Sequence, residues 1–420
     1  MPTEPKTSCL DHVRRLCAIG PRPLGSKENQ RAAAYMQGVL EACGLEIESQ
    51  EFPCPLWEEM GTTLTVGEEK LTAVANSFSP PCDVTTSPVA VGTMAELETA
   101  TLRGKIGLLY GELSKGHGIL GAKSAFYFPE SAQKLLRLLE EKKPAALITV
   151  HSQIGSLERL IRSWDLAIPS ATVPAEAGLV LLRRGSQPVR LQIASRQQRS
   201  QFRSVIARKA GRRPERIVLL AHLDTLANTV GAFDNASGLA VLAVLAESLG
   251  PEAWPVSLEW FITNGEENGG VGDAEYLRRR ADEMGQIIAA INVDGVGHFL
   301  SATSIALMGG SEALHDLVAQ VIANYAGVVR SEPWYESDHT AFFSQGVPCL
   351  PITSAGVADS FIHTPADTPE WLSPDRLDQV VSLITEIIEI SVTALGQPPD
   401  QADLGGSRGD AEKAGPGGAG

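Results

Sequence analysis

Little in this sequence points to a membrane, a nucleic acid or a disulfide framework. No uninterrupted apolar run in its 420 residues approaches the about 20 that a spanning helix requires. No segment is therefore expected to cross a membrane. Basic charge is scarce: 35 Lys and Arg stand against 50 Asp and Glu, a net charge of −15. That deficit opposes the many phosphate contacts of nucleic-acid binding. The longest basic cluster, Arg208-Lys209 to Arg212-Arg213, reads as a solvated turn before a strand. The six cysteines, Cys9, Cys17, Cys43, Cys54, Cys82 and Cys349, are scattered without a CxxC pair or a zinc-finger spacing, so reduced thiols are expected. The polar start, Met1 to Lys6, lacks the apolar core of a secretory leader. Together these features imply a cytoplasmic protein. No Walker-type phosphate loop occurs, and Lys115-Gly116-His117-Gly118 is a plain glycine loop.

What the sequence does hold is a change of pattern along its length. Residues 8–44 read as two helices broken at Gly20-Pro21-Arg22-Pro23. From 54 to 197 short β-type runs alternate with Pro and Gly: Thr63–Val66, Lys105–Leu109, Ala145–Val150, Ala171–Val173 and Val189–Ile193. One helix, Glu130–Glu141, interrupts them. This segment is expected to be mostly β and to carry no group that does chemistry. Beyond about 204, apolar strands alternate with helices, as a parallel sheet covered on both faces requires. The expected strands are Arg216–Ala221, Val256–Thr263, Ile287–Val293, Ser304–Leu307 and Cys349–Ile352. Helices are expected at Ala236–Leu249, Asp273–Glu283, Glu312–Ala326 and Pro374–Leu395. The fold class is α/β, with a mixed, mostly parallel central sheet flanked by helices and an inserted mostly-β domain. Residues 1–53 and 198–395 form the catalytic domain, 54–197 the insertion, and 396–420 a Gly/Pro-rich disordered tail.

Acid and imidazole groups recur just past the expected carboxyl ends of the strands, the edge where open α/β sheets build their sites. The first strand ends in His222-Leu223-Asp224, and residues two apart in an extended chain face the same way. Asp224 is thus placed to orient the His222 ring. Asp234 lies in Gly231-Ala-Phe-Asp-Asn-Ala-Ser-Gly238, ahead of an apolar helix, where an N-cap and a metal ligand are both compatible readings. Glu266-Glu267 sits in a glycine-rich turn and offers one carboxylate to a metal and the other to a water. Asp294 ends a buried strand, where an unpartnered carboxylate is costly. His363 precedes the last helix. Two divalent cations would carry +4 against three carboxylates, and a bridging hydroxide would offset the remaining charge. Imidazole with carboxylate suits zinc, with cobalt or manganese as substitutes. Such a site activates water for hydrolysis, with Glu266 as the general base.

In this order, His222-x-Asp224, Asp234-Asn-Ala-Ser-Gly238, Glu266-Glu267, Asn292-Val-Asp294 and His363-Thr-x-x-Asp367-Thr368 resemble the M28 family of dizinc aminopeptidases. The similarity covers about 204–395 and extends to Gly20–Gln50. The resemblance implies a zinc-exopeptidase fold and two zinc ions. Asp234 would bridge them, with His222 and Asp294 on one and Glu267 and His363 on the other. It also makes Glu266 the base and Asp224 the partner of His222. Leu102-Arg-Gly-Lys-Ile-Gly-Leu-Leu, Pro144–Val150, Ile168-Pro169 and Gly178-Leu179 resemble a protease-associated (PA) domain, which in the family sits beside the active-site mouth. Trp334-Tyr335-Glu336-Ser337-Asp338-His339 resembles a family segment near the metals. Tyr335 is its candidate oxyanion donor, and Asp338-His339 a supporting hydrogen-bonded pair.

The expected activity is removal of amino-terminal residues from peptides with a free N-terminus. An acidic site suits an ammonium group, whereas a carboxypeptidase or dipeptidase needs a cationic clamp, for which Arg278 to Arg280 and Arg330 are the candidates. Two other readings of the fold are a one-metal acyltransferase of the glutaminyl-cyclase type and a metal-free receptor-like binding protein. His12, His117, His151, His298 and His315 lie outside the pattern and read as ordinary.

Overall fold

The computed structural model describes residues 7–114, 130–155, 157–356 and 361–395. Lys115 to Gly118 and the tail from 396 lie outside them. Two helices open the chain, Cys9–Ile19 and Lys27–Ala42. The hydroxyls of Ser8 and Ser26 accept from the backbone N–H of Asp11 and Asn29, satisfying orphan donors of the first turn. The Gly-Pro-Arg-Pro break falls between them, as the missing N–H of each proline and the extended bias of the residue before it require.

A ten-stranded mixed sheet forms the body. Its order is Val328–Arg330, Ala302–Ile305, Cys349–Ala355, Ile287–Val293, Arg213–His222, Val256–Thr263, Val189–Lys209, Glu46–Val66 and Glu69–Leu71. Cys82–Thr86 pairs beside this path onto Val189–Lys209. The four strands Cys349–Ala355, Ile287–Val293, Arg213–His222 and Val256–Thr263 run parallel, so their carboxyl ends share one edge. Alternation sorts their side chains. Ile217, Leu219 and Ala221 face the helices Cys9–Ile19, Lys27–Ala42, Ser237–Leu249 and Pro374–Leu395, while Val218 and Leu220 face Tyr276 and Phe342 on the other side. One stretch, Ala232–Leu249, is long and apolar enough to cross a membrane. Since 78% of it is buried inside the protein, it is the core helix of the sheet's larger face.

Two strands of 21 residues, Glu46–Val66 and Val189–Lys209, form a long antiparallel ribbon. Their ladder runs from Glu46 opposite Arg208 to Val66 opposite Val189, with one irregularity between Glu59 and Gly61. At its far end Trp57, Leu64, Val66, Leu191 and Ile193 pack on a second sheet of five strands, ordered Val74–Ala75, Ser170–Val173, Ala146–Val150, Ile106–Leu109 and Pro88–Val91. All its pairings are parallel except that of Val74–Ala75. Besides the expected helix, observed as Glu130–Lys142, this region holds Met94–Thr99 and Ala175–Arg184. Six- and ten-residue helices carry too few turns to leave a clear 3.6-residue stripe, which is why periodicity did not expose them. The helix expected over Asp273–Glu283 instead spans Val271–Arg279, then a 3-10 turn. Arg280 breaks it by turning inward, where it bonds Glu48 and Glu283 and lies over the Tyr276 ring.

Candidate metal centre

His222 is the last residue of its strand, and its ring is buried. Its Nδ1 lies 3.1 Å from the backbone carbonyl of Asp224 and 3.8 Å from that residue's carboxylate. The Asp224 carboxylate chiefly pins the next loop: Oδ1 accepts from the N–H of Gly265 (2.7 Å) and Glu266 (3.1 Å), and Oδ2 from that of Glu267 (3.2 Å). One buried aspartate thus positions both His222 and the Glu266-Glu267 turn.

Asp234 sits in a non-helical kink between Ala232 and Ala236, and its peptide bond to Asn235 is cis. Its two oxygens face two imidazoles. Oδ1 lies 3.0 Å from His222 Nε2, and Oδ2 lies 3.0 Å from His363 Nε2. Asp367 holds the kink by accepting from the backbone N–H of Phe233 (2.7 Å) and Asp234 (3.1 Å). Asp294 places Oδ1 3.4 Å from His222 Nε2, and Glu267 places Oε2 3.2 Å from His363 Nε2. Two clusters result, His222–Asp234–Asp294 and Asp234–Glu267–His363, each with ligand atoms within 4.8 Å of one another. The structure therefore brings the five side chains singled out in the sequence to one place at the carboxyl edge.

Burial pushes the Asp234 carboxyl up, but the two imidazoles outweigh it and hold it well below the carboxylate range. Burial draws His222 and His363 down, and the surrounding acids carry both well above the ordinary imidazole value. Glu266 is only half-buried, yet burial and the charges of Glu267, Asp294 and Asp234 drive it well above its usual value, against the opposing pull of His222.

The Nε2 of His222 and the Oε1 of Glu267 are buried without a hydrogen-bond partner. Buried polar atoms left bare are costly, and a ring nitrogen surrounded by acid oxygens fits a cation between them. The residues present thus fit a pair of divalent ions, and the nitrogen and oxygen donors suit zinc.

Tyr335 is placed differently from its expected role. It is 43% exposed, its ring tilts against Phe343, and its N–H bonds Glu336, so neither contact belongs to the cluster. Asp338 and His339 are not partners of each other. His339 spans Asn292 and the Trp334 carbonyl, and Asp338 faces Asp273. The expected clamp arginines are engaged elsewhere: Arg278 and Arg279 with Glu275, Arg280 with Glu48 and Glu283, and Arg330 beside His315.

Several supporting residues were missed. Ser337 donates to Asp294 Oδ2 (2.7 Å) and accepts from Asn292 (2.9 Å). Arg22, fully buried, donates to the carbonyls of Leu223, Val230 and Gly231 and fastens the loop before Asp234. The expectation that residues 54–197 bring no chemistry-bearing group to the site is corrected by Glu158 and Arg162, which contact His363 and Glu267. His151 is likewise not ordinary, lying 3.8 Å from Glu158. The Gly-Pro-Arg-Pro loop was the one visible signal for Arg22. Ser337 lies in the Trp334–His339 segment already singled out, whereas nothing local ties Glu158 and Arg162 to the centre, because His363 and Glu267 lie 205 and 105 residues away in sequence.

This sheet and cluster define an α/β protein with an acid and imidazole centre at the carboxyl edge of its parallel strands. Residues 204–388 match peptidase family M28, so the chain carries an M28 peptidase domain. Aminopeptidase YwaD of Bacillus subtilis (strain 168) is 22% identical over 91% of this chain and 83% of its own length. Probable leucine aminopeptidase 2 of Aspergillus oryzae is 23% identical over 65% of this chain and 54% of its own length. Among solved structures, the aminopeptidase from Aneurinibacillus sp. strain AM-1 shares the fold, with a TM-score of 0.74 and 24% identity across 90% of this chain and 92% of that one. BSAP, a zinc aminopeptidase from Bacillus subtilis, superposes with a TM-score of 0.74 at 20% identity, covering 92% and 95% of the two chains.

Proposed function

We propose that this protein removes amino-terminal residues from peptides by metal-dependent hydrolysis, with two zinc ions held by His222, Asp234, Glu267, Asp294 and His363. The observation that carries this reading is the shared carboxylate: each oxygen of Asp234 faces the Nε2 of a different histidine at 3.0 Å. The M28 domain and the aminopeptidase names of its relatives support it. When bound, zinc would supply Lewis acidity at the peptide carbonyl and a nucleophilic water at neutral pH, and cobalt or manganese are its substitutes.

The chain's own residues do the rest. Asp224 holds the turn that presents Glu266 through three backbone N–H bonds. Glu266 stands next to the ligand Glu267 but belongs to neither cluster, so it is the carboxylate left to take a proton from the attacking water and pass it to the departing amine nitrogen. The acidic surroundings favour a substrate ammonium, and the engagement of Arg278 to Arg280 elsewhere supports the aminopeptidase over a carboxypeptidase. The free thiols of all six cysteines support a reducing compartment such as the cytoplasm.

A panel of free and amino-blocked peptides, assayed before and after chelation, tests the reading. Free-amino peptides should be cleaved, chelation should abolish turnover, and each chain should bind two zinc ions. Glu266→Gln should lower kcat by about 10²–10⁴-fold with the zinc retained. Undiminished cleavage of blocked peptides would overturn the aminopeptidase assignment.

A further inference from the structure

We propose that Glu158 and Arg162 are positioning residues through which residues 54–197 complete one of the two zinc sites. The inference rests on the dizinc reading above. His363 Nδ1 lies 2.8 Å from Glu158 Oε1, and Arg162 Nη1 donates to Glu267 Oε2 at 2.8 Å. Arg162 also pairs with Glu158, so a single ion pair grips both residues that stand on one side of Asp234. Arg162 is 8% exposed and is engaged by two carboxylates and the Arg159 carbonyl, so its charge is balanced within the protein.

The ring chemistry gives the pair its purpose. With Nδ1 donating to Glu158, Nε2 is the His363 ring atom left to take a cation, and it faces Asp234 Oδ2 (3.0 Å) and Glu267 Oε2 (3.2 Å). A ring nitrogen aimed at two acids is a ligand orientation, and a carboxylate behind a metal-binding imidazole fixes its tautomer and raises its basicity. Nη2 of Arg162 is also 3.0 Å from Nδ1, but both atoms are then donors, so this contact is proximity without a bond. On Glu267, Arg162 occupies Oε2 and leaves Oε1 buried and bare.

The segment that presents the pair is itself tied down. Arg159 donates to the Ala75 carbonyl and to Glu59, Leu160 N–H to Thr172, and Ile161 N–H to Asn76. The second sheet and the ribbon thereby reach the metal centre through residues 158–162. On the His222 side the supports belong to the main sheet's own loops, Asp224 behind the ring and the Ser337 hydroxyl on Asp294. The two sites are therefore built unequally, and among the described residues only the His363 side is met by the 54–197 segment.

Zinc titration of the full-length protein against a competing chelator, with peptide kinetics alongside, tests this. Glu158→Gln keeps the side-chain shape and should weaken one of two zinc sites by about 10-fold. Glu158→Ala should weaken the same site by up to about 100-fold. In both, kcat should recover at excess zinc and KM should stay near parental, while the thermal midpoint of the zinc-free protein should fall less in Glu158→Gln than in Glu158→Ala, which strips Arg162 of a partner. Two sites of parental affinity in Glu158→Gln would overturn the inference, whatever the folding of the alanine variant. So would a raised KM with zinc affinity unchanged, which would make the pair a substrate contact. A parental protein that binds fewer than two zinc ions would overturn the dizinc reading and this inference together.

Discussion

Asp273 and Asp338 are fully buried carboxyls that face each other, and Asp273 accepts a hydrogen bond from Thr263, the register partner of His222. Burial pushes Asp273 up to about 6, and burial with the charge of Asp273 drives Asp338 well above the carboxylate range. Two like charges in one apolar setting do not both ionise, so the pair holds a proton. The sign of the linkage follows. A carboxyl with a raised folded-state pKa contributes stability that is present in full below its unfolded value near 3.8 and is lost as pH rises through about 6. Asp273→Asn should remove that slope, leaving the variant more stable than the parent at pH 8 by on the order of 2 kcal/mol. Denaturant midpoints of both proteins between pH 4.5 and 8 would show whether the two curves converge in acid. A constant offset would contradict the shared proton.

At the scale of elements, the kink at 231–236 joins Asp234 to the core helix Ser237–Leu249, and this junction is tightly packed. Asn235 donates to the Val293 carbonyl (2.9 Å) and accepts from Gly238 N–H (3.0 Å). Ser237 donates to the Phe233 carbonyl (2.7 Å) and accepts from Val296 N–H (3.0 Å). The helix start is thus bolted to the strand that delivers Asp294. A Cβ on Gly238 would meet the Val293 carbonyl oxygen at 2.1 Å and Asn235 Oδ1 at 2.5 Å. Alanine gains about 1 kcal/mol of helix propensity over glycine, but a backbone oxygen cannot move aside as a side chain can. Gly238→Ala should therefore destabilise the protein by about 2 kcal/mol and weaken zinc binding, since the helix and the Asp294 strand must part. Thermal unfolding with and without added zinc would measure both effects. A variant as stable as the parent would show that the junction is loose.

Over the whole molecule, the five candidate ligands come from five separate stretches between residues 222 and 363, and Glu158 and Arg162 add an approach from the segment tied to the second sheet. Without a cation these stretches crowd acids together, so ligand binding and fold stability are linked. Chelation should lower the thermal midpoint by several degrees and added zinc should restore it. A midpoint indifferent to both would mean that no ion occupies the cluster. The parallel strands and core helices could be read in the sequence because apolar periodicity is local: Val256–Thr263, Ile287–Val293 and Pro374–Leu395 follow directly from runs of adjacent residues. The acids and histidines at strand ends were legible for the same reason, since a strand's carboxyl end is a position in the chain. What tertiary structure alone decided is who stands behind them. Arg162 reaches Glu267 across 105 residues and Glu158 reaches His363 across 205. Arg22 fastens a loop more than 200 residues away, while Tyr335 turns to the surface. Contacts of that span depend on how two sheets and a long ribbon are assembled, and no local spacing of residue types encodes that assembly.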